Sequence, residues 1–298
     1  MPVQRASELE NIEHLPTGIE QLDFVLAGGI PVGVITEISG RWSSGKSTLA
    51  EQIIAANTGA CLWYDTEYTF DPSYARDKIG IDVSKLDILR ERVAEDGLDY
   101  ILEYVAKEKN ALIVLDSIGG LHPREEAEKG AGERTIGAQA GLIARFCRKV
   151  VPLLSMNKNT LIVLNHEYQD IMNTIPGRPA AIKTAGGRKL EYHRAVSLRI
   201  VPGKEWKRGE AAGFDAVIQV RKDKFSDGQG KKIEVEFERN KGFVSKDMLF
   251  EQAMEAGVIT KEGMSYFYQG EKIAVGEPKT RLELQNNQEL RAKIEAEV

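Results

Sequence analysis

The nine residues Gly40-Arg41-Trp42-Ser43-Ser44-Gly45-Lys46-Ser47-Thr48 leave this chain few folds to choose from. They match G-x-x-x-x-G-K-[ST], they follow a β-rich run, VITEIS (34–39), and apolar positions recur with helical spacing from Ser47 to Asn57. Strand, glycine loop and helix in that order form a phosphate cradle. Gly40 and Gly45 let consecutive backbone N–H groups turn inward, Ser43, Ser44 and Thr48 complete the loop, and the helix adds its positive end. Lys46 is expected to reach the β- and γ-phosphates of ATP, and the Ser47 hydroxyl to ligate Mg²⁺.

The same alternation continues downstream. ACLWYD (60–65), ALIVLD (111–116) and TLIVLN (160–165) read as strands, with helical segments near 97–107 and 137–155. Near-continuous apolar strands separated by helices imply a parallel sheet covered on both faces. Each run ends in polar residues: Asp65 with Glu67 just beyond, Asp116, and Asn165-His166. Ligands in open α/β sheets bind at the carboxyl ends of strands, so these ends should converge on the phosphate site. Asp116 is the expected second Mg²⁺ residue, and Glu67 the candidate general base that orients water at the γ-phosphate.

After residue 195 the character changes to β-rich runs, VSLRIVP, DAVIQVRKDKF and KKIEVEFE, with a turn at Asp227-Gly228, which read as a meander extending the sheet. Past Gly242 come a helix near 247–256, a small strand pair around SYFYQGEKIAVG, and amphipathic helical sequence from about 279 onward. The expected organisation is a short leading segment (1–32), an ATPase core (33–240) and a small C-terminal domain (241–298).

Charge is segregated. The chain carries a net −5, yet from Met172 to Arg208 there are nine Lys/Arg against only Glu191 and Glu205. Such a concentration suits a polyanion partner, and equally a solvated basic face. Cys61 and Cys147 lie far apart in apolar runs, which excludes a disulfide framework or metal pair and fits a reducing, cytoplasmic setting. No apolar run approaches the roughly 18 residues of a membrane span, so no membrane partner is expected.

The runs LPTGIEQLDFVLAGGIPVGVITEISGRWSSGKST, WYDTEYTFDPSYARDKIGID, LIVLDS, LIVLNHE and KTAGGRKLEY together resemble the bacterial RecA recombinases and their bacteriophage relatives. The resemblance extends from about residue 15 to 298, because GVITKEGMSYFYQGEKIAVG and NNQELRAKIEAEV look like the small C-terminal domain of that family. It implies an α/β fold: a RecA-type P-loop ATPase core with a mostly parallel central sheet covered by helices, plus a small α+β C-terminal domain. It further implies that Glu67 is the catalytic glutamate and that Asp71 and Tyr74 contact adenine, the tyrosine by stacking. Lys222 and Lys224, spaced i, i+2 and so expected on one face of a strand, match paired lysines that reach the ATP of a neighbouring subunit. Two segments match DNA-binding loops. The first, Glu128 to Gly141, leads into a helix with Arg145, Arg148 and Lys149; the second, about Glu167 to Gly187, brings Arg178, Lys183, Gly186, Gly187, Arg188 and Lys189. Sequence-independent charge of this kind suits contact with any DNA backbone.

Four features depart from the family pattern. His166 stands where glutamine usually senses the γ-phosphate, though histidine can still donate a hydrogen bond. Tyr192 replaces a phenylalanine at the subunit interface, and only residues 1–14 precede the matching core, short for the family's assembly arm. Arg41-Trp42 replaces a Pro-Glu pair, and Trp42 is expected either against a neighbouring subunit or packed under the loop. The implied function is an ATP-dependent recombinase that forms a helical filament on single-stranded DNA and pairs it with duplex DNA without sequence preference. The rival readings are a non-recombinase ATPase of the same fold, serving as motor, regulator or loading factor, and a nucleotide-dependent scaffold with little hydrolysis.

Overall fold

Apolar runs of five or six residues between glycine-rich turns form buried parallel strands, because such strands offer both faces to helices. A computed structural model describes residues 5, 11–127, 137–169, 182–244 and 247–298. Its strands are β1 (His14–Leu15), β2 (Ile30–Pro31), β3 (Ile35–Gly40), β4 (Cys61–Asp65), β5 (Leu86–Leu89), β6 (Leu112–Asp116), β7 (Thr160–Gln169), β8 (Ile182–Thr184), β9 (Val196–Arg208), β10 (Ala211–Lys222), β11 (Lys232–Glu238), β12 (Gly242–Val244), β13 (Ile259–Glu262), β14 (Ser265–Tyr268) and β15 (Glu271–Val275). Its helices are α1 (Glu20–Val25), α2 (Lys46–Ala55), α3 (Pro72–Tyr74), α4 (Ala94–Lys107), α5 (Arg124–Ala127), α6 (Ala138–Asn157), α7 (Gly187–His193), α8 (Leu249–Glu255), α9 (Glu277–Asn286) and α10 (Gln288–Glu295).

The large sheet runs β12-β11-β10-β9-β3-β7-β6-β4-β5, with β8 attached to β7. From β9 through β5 all neighbours are parallel, and β10, β11 and β12 extend the sheet as the expected antiparallel meander. β5 adds a parallel edge strand that the sequence reading did not include. One core, with Leu49 and Ile53 of α2, Ile38, Ile162 and Leu164, fills one side of the sheet. The other, with Ile35, Leu161 and Val163, packs under Leu98 and Ile101 of α4, Phe146 and Val150 of α6, and Leu190 of α7. Ile19, Leu22, Leu26 and Ile30 belong to the first core, so the segment before β3 is part of the same packing.

The chain divides into two compact units, residues 1–244 and 245–298. In the second, β13 joins β14 and β15, giving three antiparallel strands where a pair was expected. The helical sequence expected from about 279 onward forms two helices that meet at Asn287, whose side chain accepts the Leu290 N–H at 3.1 Å and caps α10. This unit has its own core of Leu249, Phe250, Ala253, Ile259, Tyr266, Leu284 and Ile294. Among the described residues no helix is long and apolar enough to cross a membrane.

Candidate nucleotide site and the basic face beside it

β3 ends at Gly40 and α2 begins at Lys46, so the loop spans the gap between a central strand and the helix lying over it. Gly45 sits at φ +88°, and a Cβ there would meet the Phe243 ring at 2.9 Å and the Phe237 ring at 3.1 Å. Both the left-handed backbone and the aromatic floor therefore demand glycine. At Gly40 a Cβ would fall 2.8 Å from the Ile200 carbonyl oxygen. Ser44 is fully buried, and its hydroxyl has no hydrogen-bond partner. Lys46 is buried, its ammonium donates to the Arg41 carbonyl at 2.9 Å, and burial lowers its pKa against the pull of Asp116, Glu67 and Glu167. Ser43 and Trp42 stand exposed at the tip. Trp42 is 79% exposed, so it does not pack under the loop.

The Ser47 hydroxyl donates to Asp116 Oδ2 at 2.8 Å. Burial pushes the Asp116 carboxyl up to about 6, with Glu67 and Asp65 adding to the rise and Ser47 and Lys46 opposing it. A buried carboxylate beside a hydroxyl at the mouth of a phosphate loop is the oxygen donor set of Mg²⁺, which keeps only one or two protein ligands and takes the rest from phosphate and water. The residues present thus fit a magnesium nucleotide.

Glu67 lies on the turn after β4. Asp65, expected at the phosphate, is instead consumed in building that turn: it accepts the N–H groups of Thr69 (3.0 Å) and Phe70 (3.1 Å) and pairs with Arg90 at 2.9 Å. Thr66 ties the turn to β6, its hydroxyl accepting Ser117 N–H at 2.8 Å. Glu67 Oε1 then receives the Ser117 hydroxyl at 2.6 Å and faces His166 Nε2 at 3.0 Å. Burial works to raise the Glu67 pKa, but these hydrogen bonds, with the charges of His166 and Lys46, outweigh it and the net direction is down. Glu67 is therefore an ionised carboxylate with Oε1 occupied, which makes Nε2 of His166 a donor. Ser117, absent from the sequence reading, follows Asp116 directly; the polar residue after a strand-end carboxylate was the available signal.

On the far side of α2, Asp71 caps the short α3 by accepting the N–H groups of Ser73 (2.8 Å) and Tyr74 (3.2 Å). Tyr74 is half-buried beside Thr48 and Glu51. Glu51, in α2 and only 6% exposed, is pushed up to about 8 by burial and by the charges of Asp116 and Asp71.

The candidate DNA residues gather where α6 meets α7. Arg145, Arg148 and Lys149 are exposed on α6, and Arg188 and Lys189 on α7. Gly186 and Gly187 begin α7 at positive φ (+88° and +69°), and a Cβ on Gly187 would touch Ala140 of α6 at 3.4 Å. Lys183 is exposed on β8. Arg178, with the rest of 170–181, and residues 128–136 of the first segment lie outside the described residues. The basic segment is less free than its composition suggests. Arg194 pairs with buried Glu37, Arg199 with buried Glu167 at 2.6 Å, and Arg208 with Glu236 at 2.9 Å.

Lys222 and Lys224 do not share a strand face. β10 stops at Lys222, because Asp223 accepts the N–H groups of Phe225 (2.9 Å) and Ser226 (3.2 Å) and turns the chain. Lys222 reaches the end of α7 instead, its ammonium donating to the carbonyls of Glu191 (2.8 Å) and Arg194 (2.6 Å). Asn165 likewise turns from the phosphate side towards Glu37 and Ala185.

A glycine loop between a central parallel strand and its helix, faced by Asp116 and by a glutamate at the next strand end, defines a P-loop nucleotide-binding ATPase. The RecA N-terminal domain model matches residues 2–244 and the RecA C-terminal domain model residues 248–298. Similar curated proteins include several named Protein RecA. That of Prochlorococcus marinus (strain AS9601) is 33% identical over 96% of this chain and 78% of its own length. Those of Bifidobacterium breve (31%, covering 97% and 74%) and Streptomyces coelicolor (32%, covering 97% and 77%) agree. The chain belongs to the RecA family, whose members bind ATP and DNA and act in recombination and repair.

Proposed function

We propose that the protein is a DNA-dependent ATPase that assembles as a helical filament on single-stranded DNA and catalyses pairing and strand exchange with duplex DNA. One relationship carries the reading: Glu67, held as a carboxylate by Ser117 and His166, contacts His166, and the segment that follows His166 leads to the exposed cations of β8 and α7. The residue that engages the proposed base and the proposed DNA face thereby share one stretch of chain.

Lys46 and the backbone of Gly40 to Thr48 would hold the phosphates, and Ser47 with Asp116 the Mg²⁺. When bound, that ion would neutralise charge on the β- and γ-oxygens. Glu67, with Oε1 engaged, would present Oε2 to water and accept its proton. His166 would donate to the γ-phosphate when it leaves Glu67. Asp71 and Tyr74 would border adenine. Lys222 and Lys224 would serve the nucleotide of the next protomer, for which Lys222 must release the α7 carbonyls. Arg145, Arg148, Arg178, Lys183, Arg188 and Lys189, with Gly186 and Gly187, would contact DNA backbone. We further propose that residues 1–32, 33–240 and 241–298 act as leading segment, ATPase core and small C-terminal domain.

Electron microscopy with single-stranded DNA and a non-hydrolysable ATP analogue tests the reading. Helical filaments are expected, and Lys46→Ala should abolish them with nucleotide binding. Closed rings or free monomers from the wild type would favour a motor or loading ATPase instead.

A further inference from the structure

Glu37 is the one charged residue of the central strand β3, and its side chain is 1% exposed. A carboxylate so placed persists only with partners that satisfy it. Its partners come from opposite ends of one stretch of chain. Asn165, buried in β7, donates to Oε1 at 2.9 Å. Ser197, at the start of β9, donates to Oε2 at 3.0 Å, and Arg194, directly after α7, pairs with the same oxygen.

Asn165 is fixed further by both ends of its amide. Nδ2 donates to the Ala185 carbonyl at 2.9 Å, and Oδ1 accepts Ala185 N–H at 3.1 Å. β7 parts from β3 after His166 and runs on to Gln169, and the chain comes back through β8 and Ala185 into α7, so Glu37 and Asn165 gather the way out and the way back. Alternation along β7 sends Asn165 and His166 to opposite faces; His166 meets Glu67 at 3.0 Å. The Arg194 carbonyl meanwhile receives Lys222 at 2.6 Å.

We propose that the Glu37–Arg194 pair is a positioning device that fixes α7 against the strand carrying His166, coupling nucleotide state at Glu67–His166 to the DNA-facing cations Arg188 and Lys189. This rests on the ATPase and DNA-binding reading above. A pair serving stability alone is replaceable, since a buried ion pair contributes little beyond a well-packed apolar substitute. Arg194 Nε is moreover buried without a partner, so the guanidinium is held where it is despite incomplete satisfaction. Coupling between sites needs a discrete arrangement that both can bias, and this pair lies between them.

The double variant Glu37→Gln, Arg194→Met removes both charges, leaving neither buried alone. Affinity for a slowly hydrolysed ATP analogue and hydrolysis with and without a poly-dT oligonucleotide are the readouts. Analogue affinity and basal hydrolysis should stay within about twofold of wild type while DNA stimulation falls at least about tenfold, a typical coupling factor. Ser197→Ala, which removes one donor and no charge, should reduce the stimulation ratio in the same direction and serves if the double variant does not fold. Unchanged stimulation in whichever variant folds would overturn the coupling, as would a loss of analogue affinity in step with it. A wild type that poly-dT does not stimulate would overturn the recombinase reading, and this proposal with it.

Discussion

His166 Nε2 lies 3.0 Å from Glu67 Oε1, although 99 residues separate the two in the chain. The contact joins the ends of β4 and β7, which are not neighbours in the sheet but flank β6. It fixes the orientation of the only glutamate on the turn after β4.

Glu67→Gln should preserve nucleotide binding and slow hydrolysis by about 10²- to 10⁴-fold, the usual contribution of a positioned base. Phosphate release and analogue binding, measured on the same preparation, decide this; an unchanged turnover removes Glu67 from the role. His166→Gln keeps a donor at the same strand end and should retain or strengthen DNA-stimulated hydrolysis. Loss of ATP binding in that variant would instead make His166 structural.

Glu51 makes stability depend on pH. Its folded-state pKa of about 8 lies above the ordinary 4.5, so the folded protein keeps a proton that the unfolded chain releases. Stability should therefore fall as pH rises from about 4.5 to about 8 and level off above that. Glu51→Gln should raise the melting temperature at pH 8 and have little effect near pH 4.5. The gain has an upper bound of about 5 kcal/mol from the shift itself. Thermal unfolding at the two pH values is the measurement, and equal shifts at both would contradict it.

Gly45→Ala should disable the phosphate loop. The added Cβ meets Phe243 at 2.9 Å in a backbone at φ +88°, so strain and overpacking act together. A cost of about 2 kcal/mol or more, with loss of nucleotide binding, is expected. Chemical denaturation and equilibrium binding test it, and wild-type values for both would show that the loop tolerates a side chain.

Trp42→Ala should leave the isolated protomer within about 0.5 kcal/mol of wild type, as for a surface change. If the exposed ring meets a neighbouring protomer, filament assembly followed by light scattering should weaken while analogue affinity holds. A large fall in melting temperature would place Trp42 in packing after all.

Much was legible in the sequence because much of it is local. The P-loop, the apolar strands and the helix after Lys46 follow from spacing, periodicity and glycine chemistry within windows of ten or so residues, and the α/β class with its antiparallel extension follows from their order. Glu37 within VITEIS, which the sequence reading passed over, was a further signal: a charge in a central strand calls for a buried partner, though not for a particular one.

Tertiary structure alone decided which polar strand ends gather beside the phosphate loop and Glu67. Asp65 and Asn165 carry the same marks in sequence as Asp116 and His166, yet the first builds a turn and the second clamps Ala185 and Glu37. It also decided that Arg194 and Arg199 are paired inside while Arg188 and Lys189 face outward, and that an Asp223 turn takes Lys224 off its strand. Composition counts charges but not their burial, and a buried side chain's partner is fixed by strand register and helix docking, as for Glu37 with Asn165 and Arg194, each more than a hundred positions away.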